Sequence, residues 1–206
     1  MNKLRIGLDL DGVVYNLMAA WLDVYNADYA DTLTTEQITH FHFKDVPLRC
    51  HPKRFLNYLY DSRIHLAAEP IEGSIETIKW MMDRGHLPVF ITSTKRSVIA
   101  EKTARLITDI GAIQPWEIHY VQDKSKVWVD MLVDDYHKNL WKYIENGVND
   151  DCLIALFTRP WNMNTFSFNA YDGPYHNSGE AYFTDNPVRV HDWQQIKELV
   201  QYLEEF

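Results

Sequence analysis

Hydrophobic and polar positions fall in short blocks along this 206-residue chain, and the period changes from block to block. Leu4 to Leu10 is a mainly apolar run that ends in acidic residues and Gly12, as a buried strand entering a loop does. From Tyr15 to Asn26 the residues Leu17, Met18, Trp21, Leu22 and Tyr25 recur at helical spacing. The stretch 27–47 is less regular and rich in Thr, His and Phe, whereas Pro52 to Tyr60 reads as a helix with Pro52 in its first turn. Pro70 and Gly73 then punctuate the chain, Ser74 is placed to cap a helix through Arg84, and Gly85 supplies its stop. Leu87 to Ile91 predicts a buried strand, followed by Thr92-Ser93-Thr94 and a helix reaching Ile110. Glu117–Val121 and Met131–Val133 predict short strands, Tyr136–Asn146 a helix, and Leu153–Phe157 another strand.

Strand and helix alternate from residue 70 to 157, which predicts an α/β fold: a Rossmann-like parallel sheet covered by helices. The residues between the first two strands look helical. The expected division is a core of residues 1–14 and 65–206 with a small helical cap, 15–64, inserted after the first strand. Residues 161–187 hold seven aromatics among Asn, Gly and Pro without a helical period. They read as a hairpin or an ordered loop, and no role is assigned to them.

Composition narrows the partners. With 20 Lys and Arg against 29 Asp and Glu the chain carries a net charge of −9, which disfavours an extended nucleic-acid surface. A small phosphorylated ligand remains compatible, because one divalent cation and a few local cations outweigh the global field. The two cysteines, Cys50 and Cys152, are far apart and lack CxxC spacing, so a reducing, cytoplasmic setting is expected. No apolar stretch suits a signal peptide or a membrane span.

Four local signals carry chemistry. Asp9 and Asp11, two residues apart after an apolar strand, can point to one site at the sheet edge where parallel α/β folds bind ligands. An EF-hand reading fails, because a loop starting at Asp9 puts Ala20 where a bidentate Glu belongs. Asp134-Asp135 follows a second apolar run; Asp135 also reads as a helix cap. Thr92 and Ser93 end the Leu87 strand, where hydroxyls either cap a helix or meet phosphate oxygens, and Lys95 and Arg96 follow with positive charge. Lys124, an ordinary loop lysine on its own, lies ten residues before Asp134. Clustered carboxylates repel one another, and Mg²⁺ is the hard cation that best relieves them.

In this order the four signals resemble the motifs of the haloacid dehalogenase (HAD) superfamily, over about Leu4 to Asp135. The nearest likeness is to 5′(3′)-deoxyribonucleotidases. It rests on Asp9-Leu10-Asp11-Gly12-Val13, Thr92-Ser93, Asp123-Lys124-Ser125 and Asp134-Asp135, with further similarity in Glu69-Pro70-Ile71-Glu72-Gly73 and Phe157-Thr158-Arg159-Pro160-Trp161-Asn162. The departure is Thr94-Lys95 where a Pro commonly follows the Thr-Ser pair, which leaves either Thr92 or Ser93 as the phosphate-binding hydroxyl.

The resemblance implies a Mg²⁺-dependent phosphatase acting on (deoxy)ribonucleoside monophosphates through an aspartyl-phosphate. Asp9 would be the nucleophile and Asp11 the acid and then the base. Lys124 would stabilise the phosphoryl group, Asp135 would orient its neighbours, and Asp9, Asp134 and the main-chain carbonyl of Asp11 would hold the metal. Phe41 and Phe43 are candidates for stacking on a base, as are Trp21 and Tyr58, whose helical spacing reads more readily as core; Arg96 is a candidate substrate contact. Rival readings are a HAD phosphatase for another small phosphoester, such as a sugar phosphate, and a catalytically silent binding protein. A homodimer is one option for assembly.

Overall fold

The computed structural model describes residues 3–43, 45–111, 116–147, 149–164, 169–170 and 188–205. In chain order its strands and α-helices are β1 (Arg5–Leu8), α1 (Leu17–Tyr29), α2 (Pro52–Leu56), α3 (Ser62–Ala67), α4 (Ser74–Asp83), β2 (Leu87–Thr92), α5 (Ile99–Ile110), β3 (Glu117–Tyr120), β4 (Met131–Asp134), α6 (His137–Glu145), β5 (Leu153–Phe157), β6 (Asn169–Ala170), β7 (Val188–Val190) and α7 (Trp193–Glu204). Among the described residues no helix is long and apolar enough to cross a membrane.

The strands form one parallel sheet in the order β3-β2-β1-β4-β5-β7-β6. The chain runs outward from β1 through β2 to β3 and then returns to β4 on the other side. The order therefore reverses between β1 and β4, where open α/β sheets form their ligand crevice. Register fixes what meets there. Leu8 pairs with Val133, so the next residues, Asp9 and Asp134, emerge side by side at the carboxyl edge.

Side chains alternate between the two faces with the period of two that strands impose. Met131 and Val133 join the larger apolar cluster, while Leu132 joins a smaller one with Val89, Ile91, Leu140 and Tyr143 under α6. The larger cluster continues without a break into the helical insertion, through Trp21, Tyr25, Phe55 and Ile64. The insertion is therefore packed as part of the core. Its third helix, α3, straddles the expected boundary at residue 64.

Local differences from the sequence expectations have local causes. Ser74 is the first helical residue of α4, and the cap is Gly73 in the left-handed region (φ 77°), a conformation that favours glycine. The Pro52 helix lasts five residues and then tightens to 3₁₀ geometry over Asn57–Tyr60. The helix after β2 begins as a 3₁₀ turn at Arg96 and becomes α-helical only at Ile99, so Thr92, Ser93 and Thr94 do not cap it. Asp135 does not cap α6; the Tyr136 N–H donates instead to Asp134 Oδ1 (2.8 Å). Residues 165–168 and 171–187, most of the aromatic-rich segment, lie outside the described residues.

The C-terminal helix is tied to the loop after β1. Trp193 is 1% exposed and its indole N–H donates to the Val13 carbonyl (3.0 Å). Replacing Trp193 with Phe keeps a buried ring and removes the donor from a buried carbonyl. We expect a loss of about 1–3 kcal/mol in urea unfolding; unchanged stability would show that this bond does not hold the loop.

Candidate active site

The loop after β1 is a tight turn. Gly12 N–H donates to the Tyr15 carbonyl (2.8 Å) and Tyr15 N–H to the Leu10 carbonyl (2.8 Å), which turns Asp9 and Asp11 toward one cavity. Gly12 makes this possible. Its φ is +88°, and a Cβ there would stand 2.3 Å from Asp135 Oδ2.

Lys124 organises the carboxylates. Its ammonium lies 2.7 Å from Asp9 Oδ1 and 2.7 Å from Asp134 Oδ2, and all three residues are buried. Burial works against the charge on Lys124, but Asp134 and Asp9 outweigh it and hold the ammonium above its usual range. Asp134 spends its remaining capacity on the Tyr136 N–H and on Asn139 Nδ2 (3.0 Å). Asp135 is fixed by the Trp161 indole N–H (2.9 Å), while Asn162 Nδ2 donates to its main-chain carbonyl (2.8 Å). Trp161, in a segment with no role expected, thus orients a carboxylate of the site.

One cation does not balance this cluster. Asp9, Asp134 and Asp135 each offer an oxygen, and these atoms lie within 4.8 Å of one another. Asp9 is raised to about 7, chiefly by burial and further by repulsion from Asp134 and Asp11, with Lys124 working against the rise. Asp135 is raised well above the carboxylate range by burial and by Asp9 and Asp134. A compact set of oxygen donors with excess buried negative charge fits a hard divalent metal ion.

A cavity of about 420 Å³ opens above the cluster. Asp9, Asp11, Lys124 and Asp135 line it, as do Ser93, Thr94 and Lys95. Asp134 does not; it is fully buried beneath the floor, and Asp135 reaches the lining. Thr92 is fully buried, with its hydroxyl accepting from Lys102 Nζ (3.3 Å); Ser93 is the hydroxyl exposed at the wall. Arg96 is exposed and lies outside the lining.

The helical insertion supplies the other wall. Phe41 and Phe43 both line the cavity. Phe41 stacks on Tyr136 of the core (centroids 3.8 Å apart, 14° between planes), and His42 Nε2 lies 3.3 Å from the Tyr136 hydroxyl. Phe43 has a left-handed backbone (φ 54°) and meets Trp21 and Phe55 edge-on. Trp21 stacks on Phe55 yet also reaches the cavity, whereas Tyr58 packs away from it and donates to Asp28 (2.7 Å).

Lys102 was not singled out by motif. It is 5% exposed, and its ammonium bonds Asp11 Oδ2 at 2.5 Å as well as Thr92. A signal for it exists in the sequence. Lys102 occupies the inward stripe of α5 with Leu106 and Ile110, four and eight residues on, where an apolar side chain belongs.

The comparisons with known proteins follow the same lines. The model of the family described as 5′ nucleotidase, deoxy (Pyrimidine), cytosolic type C protein matches residues 2–204. The chain is 24% identical over 211 residues to a 5′(3′)-deoxyribonucleotidase of Clostridium acetobutylicum, covering 100% of this chain and 99% of that protein. Among solved structures, a haloacid dehalogenase-like hydrolase from Burkholderia xenovorans LB400 superposes with a TM-score of 0.53 at 13% identity, covering 98% of this chain and 99% of that one. That last likeness is one of fold.

The Lys124 bridge carries a direct consequence for stability. Lys124→Met leaves Asp9 and Asp134 buried and facing each other, so unfolding in metal-free buffer should come about 3–5 kcal/mol more easily. A loss below about 1 kcal/mol would mean the bridge is not what holds the carboxylates.

Proposed function

The chain belongs to the 5′ nucleotidase, deoxy (Pyrimidine), cytosolic type C protein family, phosphoric monoester hydrolases of HAD-like fold, and on that premise we propose that it is a Mg²⁺-dependent phosphatase acting on (deoxy)ribonucleoside monophosphates. The observation that carries the reading is Asp9 itself. A buried carboxylate held by one lysine stands at the floor of a cavity that also carries Asp11, Ser93 and Lys102 and is faced by the rings of Trp21, Phe41 and Phe43.

Asp9 attacks phosphorus and forms an aspartyl-phosphate as the ester bond to the sugar oxygen breaks. The departing oxygen takes a proton from Asp11, whose carboxyl Lys102 holds at the cavity wall. Water then attacks the phosphorus, gives its proton back to Asp11, and releases phosphate with Asp9 restored. Lys124 and Ser93 face the phosphoryl oxygens and stabilise the charge they carry. Asp9 and Asp135, with the main-chain carbonyl of Asp11, would hold Mg²⁺. When bound, it supplies positive charge beside the phosphoryl group and neutralises the carboxylates.

Residues 15–64 act as the cap, and Phe41 and Phe43 offer the nucleobase a flat apolar wall. The cavity volume of about 420 Å³ lies in the range that small organic ligands occupy.

A panel of deoxynucleoside, ribonucleoside and sugar monophosphates tests this, with and without a chelator. The expected result is fastest phosphate release from dUMP or dTMP, loss of activity with EDTA, and recovery with Mg²⁺. Asp9→Asn should lower kcat by at least about 10³-fold with an unchanged melting temperature. Retained turnover in that variant excludes Asp9 as nucleophile, and preference for sugar phosphates excludes the nucleotide reading.

A further inference from the structure

His65 sits in α3 at 4% exposure and lines the cavity beside the catalytic groups. Its Nε2 lies 3.2 Å from the Leu59 carbonyl. A carbonyl only accepts, so the proton of the neutral ring is on Nε2 and Nδ1 keeps a bare lone pair. Burial lowers the affinity of the ring for a second proton, and Lys102 lowers it further. Nδ1 is buried and has no partner among the described residues.

An unpaired buried acceptor is a standing cost to stability, which Phe or Leu at this place would avoid. His65 is also held firmly. Ser62 donates to Glu101 Oε1 (2.6 Å) and Arg105 donates to the Leu66 carbonyl (3.1 Å), which clamps α3 onto α5 on both sides of it. The ring lines the same cavity as Lys102 and Asp11. Asp11 marks the side of the cavity from which the alcohol departs. The indole N–H of Trp21, which also lines the cavity, is buried and likewise without a partner among the described residues. The apolar wall therefore carries polar atoms matched to something the protein alone does not provide.

We infer that His65 Nδ1 accepts a hydrogen bond from a sugar hydroxyl of the substrate, and that His65 is thereby a specificity-determining residue for the alcohol half of the phosphoester. This rests on the phosphatase reading above, in which Asp11 faces the leaving oxygen. The chemistry selects a hydroxyl donor. An ether oxygen, a bare methylene or a second acceptor at that place leaves Nδ1 unpaired or repels it.

The test compares ribo-, 2′-deoxy- and 2′,3′-dideoxynucleoside 5′-monophosphates of one base on the wild-type protein, His65→Phe and His65→Asn. Asn places an oxygen near the position of Nδ1, whereas Phe fills the volume without an acceptor. In the wild type, removal of the recognised hydroxyl should lower kcat/KM about 10-fold or more. His65→Phe should bring that ratio below about 2-fold by losing rate only on the hydroxylated substrate, and His65→Asn should restore part of it. Should His65→Phe fail to fold, ¹⁵N spectra of the Asp9→Asn protein decide. An unprotonated Nδ1 should shift on addition of dUMP and stay unchanged on addition of inorganic phosphate alone. Equal sugar ratios in wild type and His65→Phe, or a Nδ1 signal blind to dUMP, overturn the inference. Failure to hydrolyse any of these esters instead removes the phosphatase reading on which it stands.

Discussion

A single buried ammonium between two buried carboxylates is the contact on which the rest of this site depends. Lys124 holds Asp9 and Asp134 at 2.7 Å each, at the point where the order of the parallel sheet reverses. The sheet register brings the two aspartates together, and without a cation between them the backbone would be presenting like charges to each other in a medium of low dielectric. One lysine cannot offset three carboxylates, Asp9, Asp134 and Asp135. That excess suits the site to a divalent metal ion, whereas in a structural ion pair the charges balance.

The surrounding polar contacts read as devices for holding these groups still. Asp134 uses its oxygens on Lys124, Asn139 and the Tyr136 N–H, so it has little left for a ligand. Asp135 is steadied by Trp161 from the segment after β5, and Asn162 there is in turn held by Arg189 from β7. Asp11 is held by Lys102 from α5. Each reactive group is thus fixed by an element other than its own, so its position is set by packing of the whole sheet.

Much of the sheet was legible in the sequence because buried parallel strands leave short apolar runs. Leu153–Phe157 appears with the expected bounds, and Leu87–Thr92 is longer by one residue. The acids were legible for the same reason, since Asp9 and Asp134 directly follow such runs. The two-residue β6 and three-residue β7 were not, because so few residues carry no period. Nor were the different surroundings of Asp134 and Asp135, which depend on Lys124 and on Trp161 from the segment after β5. Lys102 is the instructive case. A lysine on the inward stripe of a helix contradicts the helical pattern, and such a contradiction marks a group placed for chemistry. His65 lay hidden for the opposite reason, being compatible with an ordinary core position until its unpartnered atom was seen.

The central claim is that Asp9 becomes phosphorylated. The direct measurement uses Asp11→Asn, which retains the nucleophile but lacks the base for hydrolysis, with p-nitrophenyl phosphate, whose leaving group departs without an acid. After acid quench and proteolysis, mass spectrometry should find one phosphoryl group on the peptide that carries Asp9, in an amount that follows the burst of nitrophenolate. A burst with the phosphoryl group on another residue, or turnover with none on the protein, would contradict the account.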